Sequence, residues 1–114
     1  MNKRFRLKKS ADFQRVRRLG KAIAHPFVVV LYLPNQSEHI RFGIAAGKTI
    51  GNAVARNRAK RILRAAVQAQ IPQIKPGVDC VLIARPPILK TNSTQLEEIL
   101  AKLLDRAELL IKKK

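Results

Sequence analysis

Lys48-Thr49-Ile50-Gly51-Asn52-Ala53-Val54-Ala55-Arg56-Asn57-Arg58-Ala59-Lys60-Arg61-Ile62-Leu63-Arg64 carries six basic residues and no acidic one. Gly51-Asn52 supplies a helix N-cap, and the residues from Ala53 on are good helix formers. At 100° per residue, Ala55, Ala59, Ile62, Leu63, Ala66 and Ala69 fall on one side of a helix over about 53–69. Asn57, Lys60, Arg61, Arg64 and Gln68 fall on the other, with Arg56 and Arg58 at the borders. The spacing therefore predicts a helix with one dry face and one cationic face. A solvated helix usually mixes signs, because acid–base pairs at i,i+4 stabilise it and like charges repel. Here Arg56, Lys60 and Arg64 stack at successive i+4 steps with nothing to neutralise them. A polyanion would supply the missing charge, and arginine's planar fork suits phosphate oxygens. The helix reads as a nucleic-acid footprint.

Working outward, the whole chain supports that reading. Its 114 residues carry 24 basic and 7 acidic side chains, a net charge of +17. Such an excess points to a polyanionic partner. Nine basic residues and one acid, Asp12, lie in residues 1–21, whereas the acids Glu97, Glu98, Asp105 and Glu108 make the last segment nearly neutral. One cysteine excludes a disulfide framework or a cysteine-rich zinc site within the chain. The first residues lack the apolar h-region of a secretory signal, and no apolar run is long enough to span a bilayer. We expect a single RNA-binding domain over 1–114, with 1–9 a basic N-terminal arm.

The flanking elements follow from pattern. Ser10 caps a short helix with Asp12 in its first turn, Phe13 and Val16 on its apolar side, and Gly20 as its stop. Phe27–Leu33 is a β-branched, aromatic strand, Pro34-Asn35-Gln36-Ser37 a turn, and His39–Ala46 a returning strand that completes an antiparallel hairpin. Val78–Ala84 is a buried strand ended by Pro86-Pro87. A last helix starts at Thr94, with Thr94 and Glu97 as a capping box and an apolar stripe from Leu96 to Ile111. The expected order is α-β-β-α-β-α, an α+β sandwich with a small central sheet. The second strand, the basic helix and the third strand form a crossover unit, which the general rule makes right-handed.

Catalytic chemistry is missing. Gly43 to Lys48-Thr49 imitates a phosphate loop, but three residues separate Gly43 from Gly47 where four are needed. No carboxylate pair is spaced for acid–base work. His25 and His39 lack ligand-spaced neighbours, and Cys80 sits in a core strand. Two bland alternatives remain. A ribosomal or other structural RNA-binding protein needs only the basic surface. A DNA-binding protein would place the helix in the major groove, but no helix-turn-helix or dimerisation pattern accompanies it.

Residues 51–64 resemble the signature helix of the bacterial ribonuclease P protein subunit, with its Arg56-Asn57-Arg58 core. Arg6-Leu7-Lys8-Lys9-Ser10-Ala11-Asp12-Phe13 resembles that family's N-terminal segment, Phe42-Gly43-Ile44 with Lys48 its second strand and exit loop, and Val81-Leu82-Ile83-Ala84-Arg85 its third strand. The resemblance covers about residues 4–110 in order. It implies a subunit of a magnesium-dependent endonuclease that removes 5′ leaders from precursor tRNA in the cytoplasm. In that family the catalyst is an RNA that also holds most of the Mg2+, and the protein carries no catalytic residue, takes no small-molecule substrate and meets no membrane. It further implies a left-handed βαβ crossover, which is the hand expected here. By position, Lys48, Asn52, Arg56, Asn57, Arg58, Lys60, Arg61 and Arg64 would contact the catalytic RNA. Arg6, Phe13, Arg17 and, depending on register, Leu31 or Tyr32 would hold the leader. The family often has an aromatic residue where this chain has Arg17, and aromatics are only 4% of the chain, so charge should hold the leader more than stacking does.

Overall fold

A computed structural model describes residues 5–7 and 9–111. Most of the expected basic arm, residues 1–4 and 8, lies outside the described residues. The elements are α1 (Ser10–Leu19), β1 (Lys21–Ala24), β2 (Val28–Pro34), β3 (Arg41–Ala45), α2 (Ala53–Gln70), β4 (Val78–Ala84) and α3 (Ser93–Arg106), with short 3-10 turns at Lys48–Ile50, Ile71–Gln73 and Pro86–Lys90. The fold is a small α+β domain with three helices and a mixed sheet of four strands in the order β1-β2-β4-β3.

Two features of the sheet differ from the sequence expectation. The first is β1, an added edge strand antiparallel to β2, with Lys21 opposite Tyr32. Only Ile23 of its four residues is even half-buried, so it carries almost no hydrophobic pattern. The second is the expected hairpin, which does not form. β2 pairs antiparallel with β4, and β3 pairs with β4 in parallel, so β4 lies between them. Six of the seven β4 residues are buried, and the most apolar strand takes the central place, where both faces are covered. The turn after β2 opens toward β4 accordingly. The Asn35 amide donates to the Gly77 carbonyl at 3.0 Å, and the Gly77 amide to that of His39 at 3.0 Å. With α2 between β3 and β4, the parallel crossover unit is present.

α2 and α3 cover one face of the sheet. Val28, Val30, Phe42, Cys80, Leu82 and Ala84 meet Ala59, Leu63, Ala66 and Val67 of α2 and Leu96, Leu100, Leu103 and Leu104 of α3 in one core. Burial raises the Cys80 thiol to about 12, assisted by the neighbouring Asp79 charge, so this cysteine is an inert core residue. α1 covers the other face with a smaller cluster of Val16, Leu7 and Val81, flanked by Phe13, Leu31, Leu33 and Ile83.

Helix ends also differ in detail. Asn52 caps α2 as expected, accepting from the Ala55 amide at 2.9 Å. α3 is capped by Asn92, which accepts from the Gln95 amide at 2.9 Å, so the Thr94–Glu97 box is not used. Ser10 is the first residue of α1, and no side chain caps that helix. Gly20 does end α1, but in extended backbone (φ −78°). Its role is close approach, since a Cβ there would meet the carbonyl oxygens of Val16 and Tyr32. α3 stops at Arg106 in a Schellman turn. Glu108 takes the left-handed position (φ 60°), and Leu109 donates back to Leu104 and buries its side chain. The expected stripe therefore ends early, with Leu110 half-buried and Ile111 exposed. Among the described residues no helix is long and apolar enough to cross a membrane.

Candidate nucleic-acid interface

α2 is set by its dry side. Ala59, Leu63, Ala66, Val67 and Gln70 are buried, so the opposite arc must face solvent. Asn57, Arg58 and Arg61 are exposed, and Arg56, Lys60 and Arg64 are half-buried along the border toward the sheet. Among the described residues the ion pairs involve only Arg15 and Arg41, so this arc keeps its full charge. Lys48 is exposed on the 3-10 turn before the helix. Asn52 spends its side-chain oxygen on the cap, leaving its amide group to donate outward. The imitation phosphate loop is excluded by this geometry, because the helix begins at Ala53 and not at Lys48.

The second surface lies between α1 and the β3 edge. The N-terminal segment runs beside β3, with Arg6 bridged in parallel to Phe42 and the Leu7 amide donating to the Phe42 carbonyl at 2.8 Å. Beyond it opens a cavity of about 300 Å³ lined by Arg6, Leu7, Phe13, Phe42, Gly43, Ile44 and Arg64. A second hollow of about 260 Å³ lies on the far side of Phe13, against Ser10, Gln14 and Arg17. Phe13 is half-buried and rests on Gly43 so closely that a Cβ there would overlap its ring. Of the expected leader residues, Arg6 thus meets Phe13 in one cavity, where Arg64 of α2 joins them, and Arg17 meets Phe13 in the other. Leu31 shares the α1 face of the sheet with Phe13, whereas Tyr32 points to the opposite face and packs on the α2/α3 core. Of the two residues that sequence left open, Leu31 is therefore the one on Phe13's face of the sheet.

One group escaped the sequence reading. Asp79 is fully buried on the α1 face of β4. Its carboxylate accepts from Arg41 Nε at 2.9 Å and Nη2 at 2.7 Å, from Arg15 Nη2 at 3.1 Å and from Asn35 Nδ2 at 2.8 Å. Asp12 adds longer contacts to Arg15 (3.9 Å) and Arg41 (3.7 Å). The bond to Asp79 raises the pKa of the Arg41 guanidinium. The signal was present in sequence: Asp79 is the one charge in the apolar strand Val78–Ala84, and a charge so placed must find partners. The network ties α1 to the sheet and so sets where Phe13 stands over Gly43. No group of three or more His, Cys, Asp or Glu side chains among the described residues could hold a metal ion.

Comparison with known proteins gives a consistent result. A sequence model of the family Ribonuclease P matches residues 1–108. The chain is 39% identical over 111 residues to the ribonuclease P protein component of Oceanobacillus iheyensis, covering 96% of this chain and 92% of that one. It is 40% identical over 111 residues to that of Ligilactobacillus salivarius, covering 96% and 98%. The solved structure of the Staphylococcus aureus RNase P protein superposes with a TM-score of 0.82 at 34% identity, covering 94% of this chain and 98% of that one. The chain belongs to the ribonuclease P protein component family.

Proposed function

We propose that this chain is the protein subunit of ribonuclease P, binding the catalytic RNA and the 5′ leader of precursor tRNA in the cytoplasm. The observation that carries the reading is the unneutralised arc of α2, whose Arg64 reaches the same cavity as Arg6 and Phe13. One helix thus carries a large cationic surface and also borders the groove beside α1. In the groove, Arg6, Arg17 and Arg64 hold backbone phosphates, and the exposed side of the Phe13 ring offers a platform for a base. Leu31 lies below it on the same face of the sheet. Tyr32, on the opposite face, takes no part. Lys48, Asn52, Arg56, Asn57, Arg58, Lys60 and Arg61 are left for the catalytic RNA.

The chemistry of bond cleavage belongs to the RNA. No nucleophile or general base lines the cavity that Arg6, Phe13 and Arg64 share, whose ionisable residues are those two arginines, and Arg17 lies in the hollow beyond Phe13. Magnesium needs free carboxylate or carbonyl oxygens. The best candidate, Asp79, already spends its carboxylate on two guanidinium groups and an amide, an arrangement that repels a cation. The protein's residues do not fit a resident Mg2+, and the metal is assigned to the RNA. The test is reconstitution. The purified protein should cut nothing. Together with ribonuclease P RNA and Mg2+ it should remove the leader of precursor tRNA at physiological salt. RNA-free protein that removes leaders robustly would overturn the reading. Protein that binds RNA but leaves leader removal unchanged would favour a purely structural RNA-binding role.

A further inference from the structure

The two edges of the sheet are finished differently. In the order β1-β2-β4-β3 the edge strands are β1 and β3. The N-terminal segment covers β3, through the bridge from Arg6 to Phe42 and the bond from the Leu7 amide to the Phe42 carbonyl. β1 has no such cover among the described residues. His25 and Val28 exchange both backbone hydrogen bonds, at 2.9 and 3.3 Å, which sets the alternation along the β1–β2 ladder. Ile23 and Lys21 therefore bond to β2, and Ala22 and Ala24 turn their N–H and C=O groups outward. Such a row is a template for another strand.

An apolar cavity adjoins this edge. It measures about 200 Å³, lies at the Lys21 end of β1, and is lined by Leu19, Lys21, Tyr32, Leu33, Val78 and Leu109. Leu19 is a large apolar side chain left 59% exposed, and Lys21 is the one charged residue in the lining. We propose that β1 and this cavity form a docking site for an extended segment of a partner protein. The segment adds to the sheet beside β1 through backbone hydrogen bonds to Ala22 and Ala24 and seats an aliphatic side chain in the cavity. An acidic side chain of the segment faces Lys21 and the exposed Arg18.

Charge selects this occupant. A second copy would bring another net charge of +17 and its own Lys21 to the edge, and like charges repel. A lysine on an edge strand is itself a guard against self-pairing. The same charges favour an acidic, apolar segment. Position favours it as well. α2 packs on β3 and β4, so RNA held by its cationic arc lies toward the opposite edge of the sheet.

The test uses the reconstituted, active holoenzyme, in which RNA already occupies the cationic arc. The probe is a labelled, end-blocked peptide, Glu-Leu-Glu-Val-Glu-Val, followed by fluorescence anisotropy at physiological salt. It should bind saturably and slow hydrogen exchange at the Ala22 and Ala24 amides. Ala22→Pro removes an outward N–H and blocks the edge while leaving the ladder to β2 intact. Leu19→Ser removes the exposed apolar wall of the cavity. Each should weaken peptide binding by about tenfold or more and leave leader removal at the wild-type rate. Arg61→Ala, on the α2 arc, should bind the peptide as wild type does. The proposal is overturned if the peptide binds no tighter than about 1 mM, or if Ala22→Pro binds it unchanged. Loss of binding in Arg61→Ala also overturns it, because charge alone would then attract the peptide. So does a holoenzyme that doubles in mass with concentration and stays single as Ala22→Pro, since β1 then pairs with a second copy. None of these results touches leader removal, on which the function proposed above stands or falls.

Discussion

The two faces of the sheet are closed by different physics. On the α2/α3 side, closure is by apolar burial through side chains from two long helices, with one hydrogen bond, from Nε2 of the buried Gln70 to the Glu97 carbonyl at 3.0 Å, joining α2 to α3. On the α1 side, a ten-residue helix contributes one fully buried residue, Val16, with Phe13 half-buried beside it, and an ionic attachment from Arg15 to Asp79 adds to these. Apolar burial is non-directional and leaves no gaps when well packed. An ion network fixes position at a few points and needs no continuous contact. The dry face can therefore serve only as a scaffold, whereas the ionic face can hold α1 in place and still leave a groove beside it.

The sharpest contrast comes from truncating the dry face. Leu63 is fully buried between the sheet and α3. Leu63→Ala should cost about 3–5 kcal/mol through lost transfer energy and the cavity left behind. Urea denaturation at neutral pH should show it, with no recovery from truncating a neighbour as well. A loss below about 1 kcal/mol would mean that this face is loosely packed and that the contrast between the faces is false.

On the ionic face the same exercise should behave differently. Arg41→Ala leaves a fully buried carboxylate with only Arg15 and Asn35. We expect a cost of about 2–3 kcal/mol, less than the ~3–5 kcal/mol of a buried pair broken outright, because those two donors remain. The double variant Arg41→Ala/Asp79→Ala should be more stable than Arg41→Ala alone, since the stranded charge is gone. Additive losses in this cycle would show that Asp79 and Arg41 are energetically independent despite their contact.

What could be read from sequence divides along the same lines. α2 and its Asn52 cap, α3, β2 and β4 were legible because each depends on local periodicity and caps. The partners of the strands were not. Pro34-Asn35-Gln36-Ser37 reads as a hairpin turn, but its Asn35 is drawn to Gly77 and Asp79, more than forty residues on in the chain. β1 escaped because Lys21-Ala22-Ile23-Ala24 buries little. Among site residues, Phe13 and the arginines were legible as types. Whether Leu31 or Tyr32 joins Phe13 required the register, because one step along a strand reverses the face. Gly43 and Arg15, which support Phe13 and α1, show only in three dimensions.

Phe13 sits where the two kinds of closure meet, and its truncation should have the smallest effect on stability and the most selective effect on function. It borders the small α1 cluster, yet it also lines the hollows on either side of it. Part of its ring is buried against Gly43 and part is open. Phe13→Ala therefore removes less buried surface than a full core phenylalanine, whose loss costs about 3–5 kcal/mol. If the open side stacks on a leader base, the holoenzyme should lose about 1–3 kcal/mol of affinity for precursor tRNA and none for mature tRNA. The control is Gly43→Ala, which keeps the aromatic ring but pushes it off its seat. It should reproduce the selective loss, because the defect lies in where the ring stands and not in its chemistry. Thermal melting of both variants, alongside binding of the two RNAs, decides the matter. If Phe13→Ala melts far below wild type and binds both RNAs equally poorly at a temperature where it is folded, the ring is a core residue and the leader lies elsewhere on the α1 face.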